Sequence, residues 1–260
     1  MLVTETPPGI PSPFDSRRRI RAVLFDLDGT LYRQRPMRAL MAVELMTAAF
    51  GGPAHARRTW QGLAAFRKAQ ETLRAQTPIP AQHQLRRASF LAQHQVRMAA
   101  ERTGLPPDAV EAIASEWMFE RPLKYLRLCR ASGLLELLSF LDNRGVALGV
   151  LSDYPPTDKL YALGLEDRFS LVLCSTDNDI GAFKPHPKGF LKACETWRLN
   201  AGDVLVVGDR FDVDAAGASA AGMPCAIIAS RRTRSTDSNA RHLLVLPSFE
   251  RLLRVLDNGR

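Results

Sequence analysis

Hydrophobic positions change their spacing twice along this 260-residue chain. From Arg18 to Asp26 the run RRIRAVLFD is a short, near-continuous apolar stretch, the pattern of a buried strand that ends in a turn. A different period follows. Apolar residues then recur three and four apart in segments rich in Ala, Leu, Met, Gln and Arg, all strong helix formers. The spacing predicts helices over Met37–Phe50, Ala54–Gln76, Ala81–Thr103 and Pro107–Phe119, with Pro36 pre-set for a first helical turn. Breakers separate them: Gly51, Gly52 and Pro53, then Pro78 and Pro80, then Gly104, Pro106 and Pro107. The result is a bundle of about four helices.

Beyond Ser132 the texture changes again, to short runs of Val, Ile, Leu and Cys alternating with amphipathic segments. Strands are predicted at Val146–Leu151, Leu171–Cys174, Val204–Val207, Cys225–Ile228 and Leu243–Leu246. Helices are predicted at Ser132–Asn143, Pro156–Leu163, Pro187–Trp197, Asp212–Ala221 and Ser248–Leu256. Apolar strands joined by helices imply a parallel sheet covered on both faces. In such sheets ligands bind beyond the carboxyl ends of the strands. Asp26 ends the first strand, Ser152 follows VALGVL, and Asp209 follows DVLVVG, so the pattern places all three at one sheet edge. The helical segment enters just after the first strand and is expected to stand above that edge as a cap.

Composition narrows the class without naming an activity. With 46% hydrophobic and 24% charged residues the balance is that of a globular protein. No stretch reaches the roughly 18 apolar residues of a spanning helix; the longest candidate, Leu134–Leu141, contains Glu136. The proline-rich N-terminus has no apolar core of a secretory signal and is expected to be a mobile arm over residues 1–18. Cys129, Cys174, Cys194 and Cys225 stand apart with no CxxC pair, which suits reduced thiols in the cytoplasm. The net charge of +8 is concentrated in the helical segment, where residues 33–130 hold 16 Lys or Arg against 7 Asp or Glu. A basic surface concentrates anions.

Four polar motifs stand at chain positions that can share one site: FDLDGT at 25–30, VLSDYP at 150–155, FKPHPKGF at 183–190 and VGDRFDVDAAGASAAGM at 207–223. Each alone is ordinary turn chemistry. Together, in order and spacing over about Arg19 to Ile228, they resemble the haloacid dehalogenase superfamily, phosphatase type, with the helical insert resembling that family's C1 cap. The resemblance implies an α/β fold: a Rossmann-like, doubly wound parallel sheet (residues 19–32 and 126–260) with an inserted helical-bundle cap (residues 33–125).

It also implies chemistry. A phosphate monoester repels nucleophiles, so its charge must be neutralised before attack. The resemblance assigns Asp26 as a carboxylate nucleophile forming an aspartyl-phosphate. Mg²⁺ prefers oxygen ligands, and the family pattern supplies Asp26, the main-chain carbonyl of Asp28 and Asp209, with Asp214 as a further ligand or outer partner. Asp28 is suited to protonate the leaving alkoxide and then to activate water. Its presence favours phosphoryl transfer, because the superfamily's dehalogenating members lack an aspartate there. Lys184 is expected to bring positive charge to the phosphoryl group. Ser152 and the Asp153 main-chain N–H are expected to bind phosphate oxygens. In the last motif the GDxxxxD spacing selects Asp209 with Asp214 and leaves Asp212 as a helix-start residue; if Asp212 faces the metal, that assignment moves.

The expectation is a Mg²⁺-dependent phosphatase for a small phosphorylated metabolite, without membrane association and with nucleic acid an improbable partner. Two alternatives are a phosphomutase of the same superfamily and a non-catalytic anion- or nucleic-acid-binding protein on the same fold. Substrate identity and oligomeric state are not readable from these motifs.

Overall fold

A computed structural model of the chain describes residues 20–48, 52–76, 89–229 and 243–258. The expected N-terminal arm and the first part of the helix expected over 81–103 lie outside them. Strand β1 (Ala22–Phe25) is followed by α1 (Gln34–Ala48), α2 (Pro53–Ala75), α3 (Ser89–Thr103), α4 (Pro107–Ala114) with a π-helical continuation at Ser115–Glu120, and α5 (Leu123–Cys129). Then come α6 (Leu134–Asp142), β2 (Ala147–Ser152), α7 (Thr157–Leu163), β3 (Leu171–Cys174), α8 (Lys188–Trp197) and β4 (Val204–Gly208). A π-helical turn at Phe211–Ala215 leads into α9 (Ala216–Ala220), β5 (Cys225–Ile228), β6 (Leu243–Leu246) and α10 (Phe249–Asn258).

The six strands form one sheet in the order β3-β2-β1-β4-β5-β6, and every pairing is parallel. Both faces are buried, as continuous apolar strands require. Val23, Phe25, Val150, Leu205 and Val207 pack on one side with α6, α7 and α10. Ala22, Leu24, Leu151, Val204 and Val206 pack on the other with α8 and α9. Phe25, Phe190 and Phe249 are fully buried, each contributing about 1.5–3 kcal/mol of apolar burial.

Strand order reverses at β1, whose neighbours β2 and β4 lead to opposite halves of the sheet. That reversal opens a crevice at the carboxyl ends of β1 and β4, where connections diverge. Register puts Phe25 beside both Val150 and Val207, so the residues after these three strands emerge together.

The helical insert leaves and returns through one narrow neck. Arg33 N–H donates to Cys129 O at 2.9 Å and Ala131 N–H to Leu31 O at 3.0 Å, an antiparallel bridge between Tyr32 and Arg130. Inside the insert α2 packs on α3 and α4 through small residues, Ala65, Ala69, Ala99, Ala100 and Ala114, which let the helices approach closely. Periodicity predicts about four helices; α5 is a further one, too short for its periodicity to stand out, and it buries Leu126 and Cys129 against the sheet. No helix among the described residues is long and apolar enough to cross a membrane.

One glycine holds the last motif against its neighbour. A Cβ at Gly217, on α9, would lie 2.3 Å from Phe190 Cε2 and 3.2 Å from Pro185 O. Alanine in a helix is ordinarily better than glycine by about 1 kcal/mol, yet here overpacking costs about 1–3 kcal/mol. Gly217→Ala is therefore expected to lower the urea midpoint, and an unchanged or raised midpoint would show that the α8–α9 contact yields easily.

Candidate active site

Asp26 sits one residue past β1, its N–H bonded to Val207 O at 2.8 Å, so the nucleophile candidate is held level with the end of β4. Asp209 follows β4 and Asp214 lies in the π-helical turn after it. Carboxylate oxygens of Asp26, Asp209 and Asp214 all lie within 4.8 Å of one another. Lys184, 3% exposed, reaches in from the segment before α8; its Nζ contacts Asp26 Oδ1 and lies 2.8 Å from Asp214 Oδ1. Four of the expected site residues thus form one cluster, Asp26, Lys184 and Asp214 buried and Asp209 half-buried.

The local backbone makes room for it. Gly29 has φ +112°, and a Cβ there would stand 2.2 Å from Asp209 Oδ2. A Cβ at Gly208 would stand 2.4 Å from the Asp214 Cβ. The Asp214 Oδ2 accepts N–H bonds from Asp209 (3.2 Å) and Arg210 (3.1 Å), which ties the loop after β4 to the turn that follows. Its two oxygens are therefore engaged by loop and lysine. Asp212 is exposed and ion-paired with Arg210. The spacing argument for Asp214 over Asp212 agrees with this geometry.

Charge defines what the cluster can hold. Burial pushes the Asp26 carboxyl up to about 6, against the pull of Lys184 and with added repulsion from Asp214. Burial, with the charges of Asp26 and Asp214, pushes Asp209 up to about 7. Lys184 is opposed by burial, but Asp214 and Asp26 hold its pKa well above the ordinary value. The buried Asp26 Oδ2 has no hydrogen-bond partner. An orphaned carboxylate oxygen among hard oxygen donors is what a divalent cation fits, and these three aspartates are the residues that could hold one.

Ser152 ends β2, buried, its Oγ accepting the Tyr154 N–H at 3.2 Å. The Asp153 side chain turns inward: Oδ1 accepts Ser175 Oγ–H at 2.7 Å and the Lys184 N–H at 3.1 Å, while Oδ2 accepts Arg74 of α2. Asp153 thereby holds the lysine's backbone in place. Asp28 stands outside the metal-type cluster, with Lys159 Nζ 2.6 and 2.8 Å from its two oxygens and Tyr32 Oη 2.6 Å from Oδ1. Burial works against ionised Asp28, but Lys159 and Tyr32 leave its pKa below the usual carboxylate value.

Sequence reasoning missed Lys159, Tyr32, Arg74 and Tyr154. Tyr32 carries a weak signal, four residues past Asp28. Lys159 and Arg74 look like ordinary helix lysine and arginine, and only the fold brings them here. Tyr154 leaves the loop after β2 to enter the insert's own core. It stacks on Phe66 (6.1 Å), its hydroxyl lies 2.8 Å from Gln70 Oε1, and it accepts a bond from Gln95 Nε2 at 3.0 Å. Glu71 of α2 also meets Arg210 at 3.3 Å, so α2 contacts the loops after both β2 and β4.

Comparison with known proteins agrees with this geometry. A family model for haloacid dehalogenase-like hydrolases matches residues 20–222, and the chain belongs to that family. Curated relatives that it matches include phosphatases. The glyceraldehyde 3-phosphate phosphatase of Methanopyrus kandleri is 26% identical over 89% of this chain and 92% of that enzyme. The enzyme of the same name from Pyrococcus abyssi is 35% identical over a shorter match of 103 residues, 38% of this chain and 42% of that enzyme. The phosphoserine phosphatase of Thermus thermophilus is 28% identical over 85% and 93%. Among solved structures, a HAD phosphatase from Thermococcus onnurineus shares the fold with a TM-score of 0.57 at 22% identity, covering 91% of this chain and 97% of that one.

The raised carboxyls set a pH dependence. With unfolded values near 3.8 and folded values of about 6 and 7, Asp26 and Asp209 bind more protons in the folded state across that window. Their contribution to stability falls as pH rises through it, opposed by His186, whose burial holds its pKa below the ordinary value. Asp28, shifted the other way, acts below the window. In chelator-containing buffer the melting temperature is expected to drop between about pH 5 and pH 8, with a shallower slope in Asp209→Asn. Equal slopes in the two proteins would contradict the shift assigned to Asp209.

Proposed function

We propose that the chain is a Mg²⁺-dependent phosphatase that hydrolyses a small phosphorylated metabolite through an aspartyl-phosphate on Asp26. The observation that carries this reading is the buried cluster in which Lys184 contacts Asp26 while Asp26 Oδ2 is left without a partner. Residues 19–32 and 126–260 act as the catalytic core and residues 33–125 as the cap.

In the first half-reaction an Asp26 carboxylate oxygen bonds to phosphorus as the bond from phosphorus to the leaving oxygen breaks. That oxygen keeps the electron pair and takes a proton from the Asp28 carboxyl, a proton that Asp28 first takes up from solvent against the hold of Lys159 and Tyr32 on its ionised form. In the second, Asp28 as carboxylate takes a proton from water, the water oxygen bonds to phosphorus, and the bond to Asp26 breaks, releasing phosphate. Lys184, fixed through Asp153 and Asp214, meets the charge developing on the phosphoryl oxygens, and Ser152 donates its hydroxyl hydrogen there. Asp26, the Asp28 carbonyl and Asp209, with Asp214 as a further ligand or outer partner, would hold Mg²⁺, which when bound would supply the positive charge that lets a carboxylate approach an anionic ester.

The substrate class is supported by charge on the insert. Arg67 of α2 lies close enough to Arg38 of α1 for their repulsion, after burial, to hold its pKa below the ordinary value. Like charges held together near a site favour an anionic ligand. The four cysteines are all buried free thiols, which supports a reducing compartment and the cytoplasm.

Phosphate release from a panel of metabolite monoesters is expected to require Mg²⁺ and to stop with chelator. Asp26→Asn is expected to lower kcat by about 10⁴-fold, and acid-quenched mass spectrometry to find a phosphoryl group on the Asp26 peptide of the wild type. Equal turnover by both proteins would remove the nucleophile assignment. No turnover on any ester would favour the non-catalytic, anion-binding alternative.

A further inference from the structure

Lys159 belongs to none of the four motifs, yet it is buried against one of their aspartates. Its Nζ bridges both Asp28 oxygens, at 2.6 Å from Oδ1 and 2.8 Å from Oδ2, in a pair whose side chains are 7% and 23% exposed. The Tyr154 ring centroid lies 5.9 Å from the same ammonium, and Tyr32 Oη donates to Oδ1 at 2.6 Å. Asp28 Oδ1 therefore accepts two hydrogen bonds and Oδ2 one. A carboxylate oxygen has two acceptor sites, so Oδ2 is the oxygen with capacity left.

A general acid works only when its oxygen is within hydrogen-bond reach of the reacting atom, and an unsupported aspartate rotates about two bonds. Lys159 on α7 and Tyr32 beyond β1 hold the carboxyl from two separate elements, which fixes both rotations. We infer that Lys159, assisted by Tyr32, is a positioning residue that aims Asp28 Oδ2 at the oxygen of the departing alcohol. This rests on the acid–base reading of Asp28 above. A lysine that merely pinned α7 to the loop after β1 would influence all substrates alike, whereas one that aims the acid matters most where the leaving group needs a proton.

The test compares an alkyl phosphate monoester turned over by the wild type with 4-nitrophenyl phosphate, whose phenolate departs without protonation. The readout is kcat/KM, which reports the steps through departure of the leaving group. Lys159→Met is expected to lower the alkyl value by about 10²-fold and the aryl value by less than about threefold, and Lys159→Arg to retain most of the alkyl rate. Tyr32→Phe leaves the ion pair intact and is expected to move the ratio of the two rates the same way by a smaller factor; it decides the matter if Lys159→Met does not fold. Equal losses on both esters, or an unchanged alkyl rate, overturn the inference. Asp28→Asn is measured on the same pair: selectivity there with none in the Lys159 and Tyr32 variants sinks only the positioning role, whereas no selectivity in Asp28→Asn sinks the acid assignment itself. Wild type inactive on every ester of the metabolite panel removes the phosphatase reading and the inference with it.

Discussion

Three carboxylates and one ammonium share the space beyond β1 and β4, and the rest of the molecule is arranged around that imbalance. Lys184 compensates Asp26 and Asp214 directly, which leaves Asp209 and the orphaned Asp26 Oδ2 with too little positive charge nearby. An uncompensated ion away from water costs several kcal/mol. The cluster meets that cost with protons, hence the raised carboxyls, and a divalent cation bound there would meet it as well.

Keeping four charged side chains together requires a rigid surround, and the backbone supplies much of it. Gly29 and Gly208 have no Cβ where the Asp209 and Asp214 side chains must pass. Asp214 bonds the N–H groups of the loop that carries Asp209, and Asp153 bonds the N–H of Lys184. Asp209 and Lys184 are thus placed by another residue's hydrogen bonds as well as by the elements that they adjoin. The arrangement is preorganised before any ligand arrives, which is where electrostatic catalysis draws its advantage.

The same residues tie the helical insert to the sheet. Arg74 bonds Asp153, Glu71 bonds Arg210, and Tyr154 is buried in the insert's own core beside Phe66 and Phe119. A change in how α2 sits is therefore felt at the loops after β2 and β4.

The strands were legible because continuous runs such as VLVVG between turn residues admit few other arrangements, and Asp26, Ser152 and Asp209 were legible because each stands directly after such a run. Lys184 and Asp214 came from the motifs that carry the family resemblance. Sequence alone therefore determined the layers and the sheet edge where Asp26, Ser152 and Asp209 stand, since these follow from local periodicity and from position relative to strand ends. Only the tertiary structure decided that Asp214 faces inward and Asp212 outward, that Asp153 turns to hold Lys184, and that Lys159, 131 residues from Asp28, closes on its carboxylate. Those pairings join elements distant in sequence, and a side chain's period along its own helix carries no information about which distant charge it will meet.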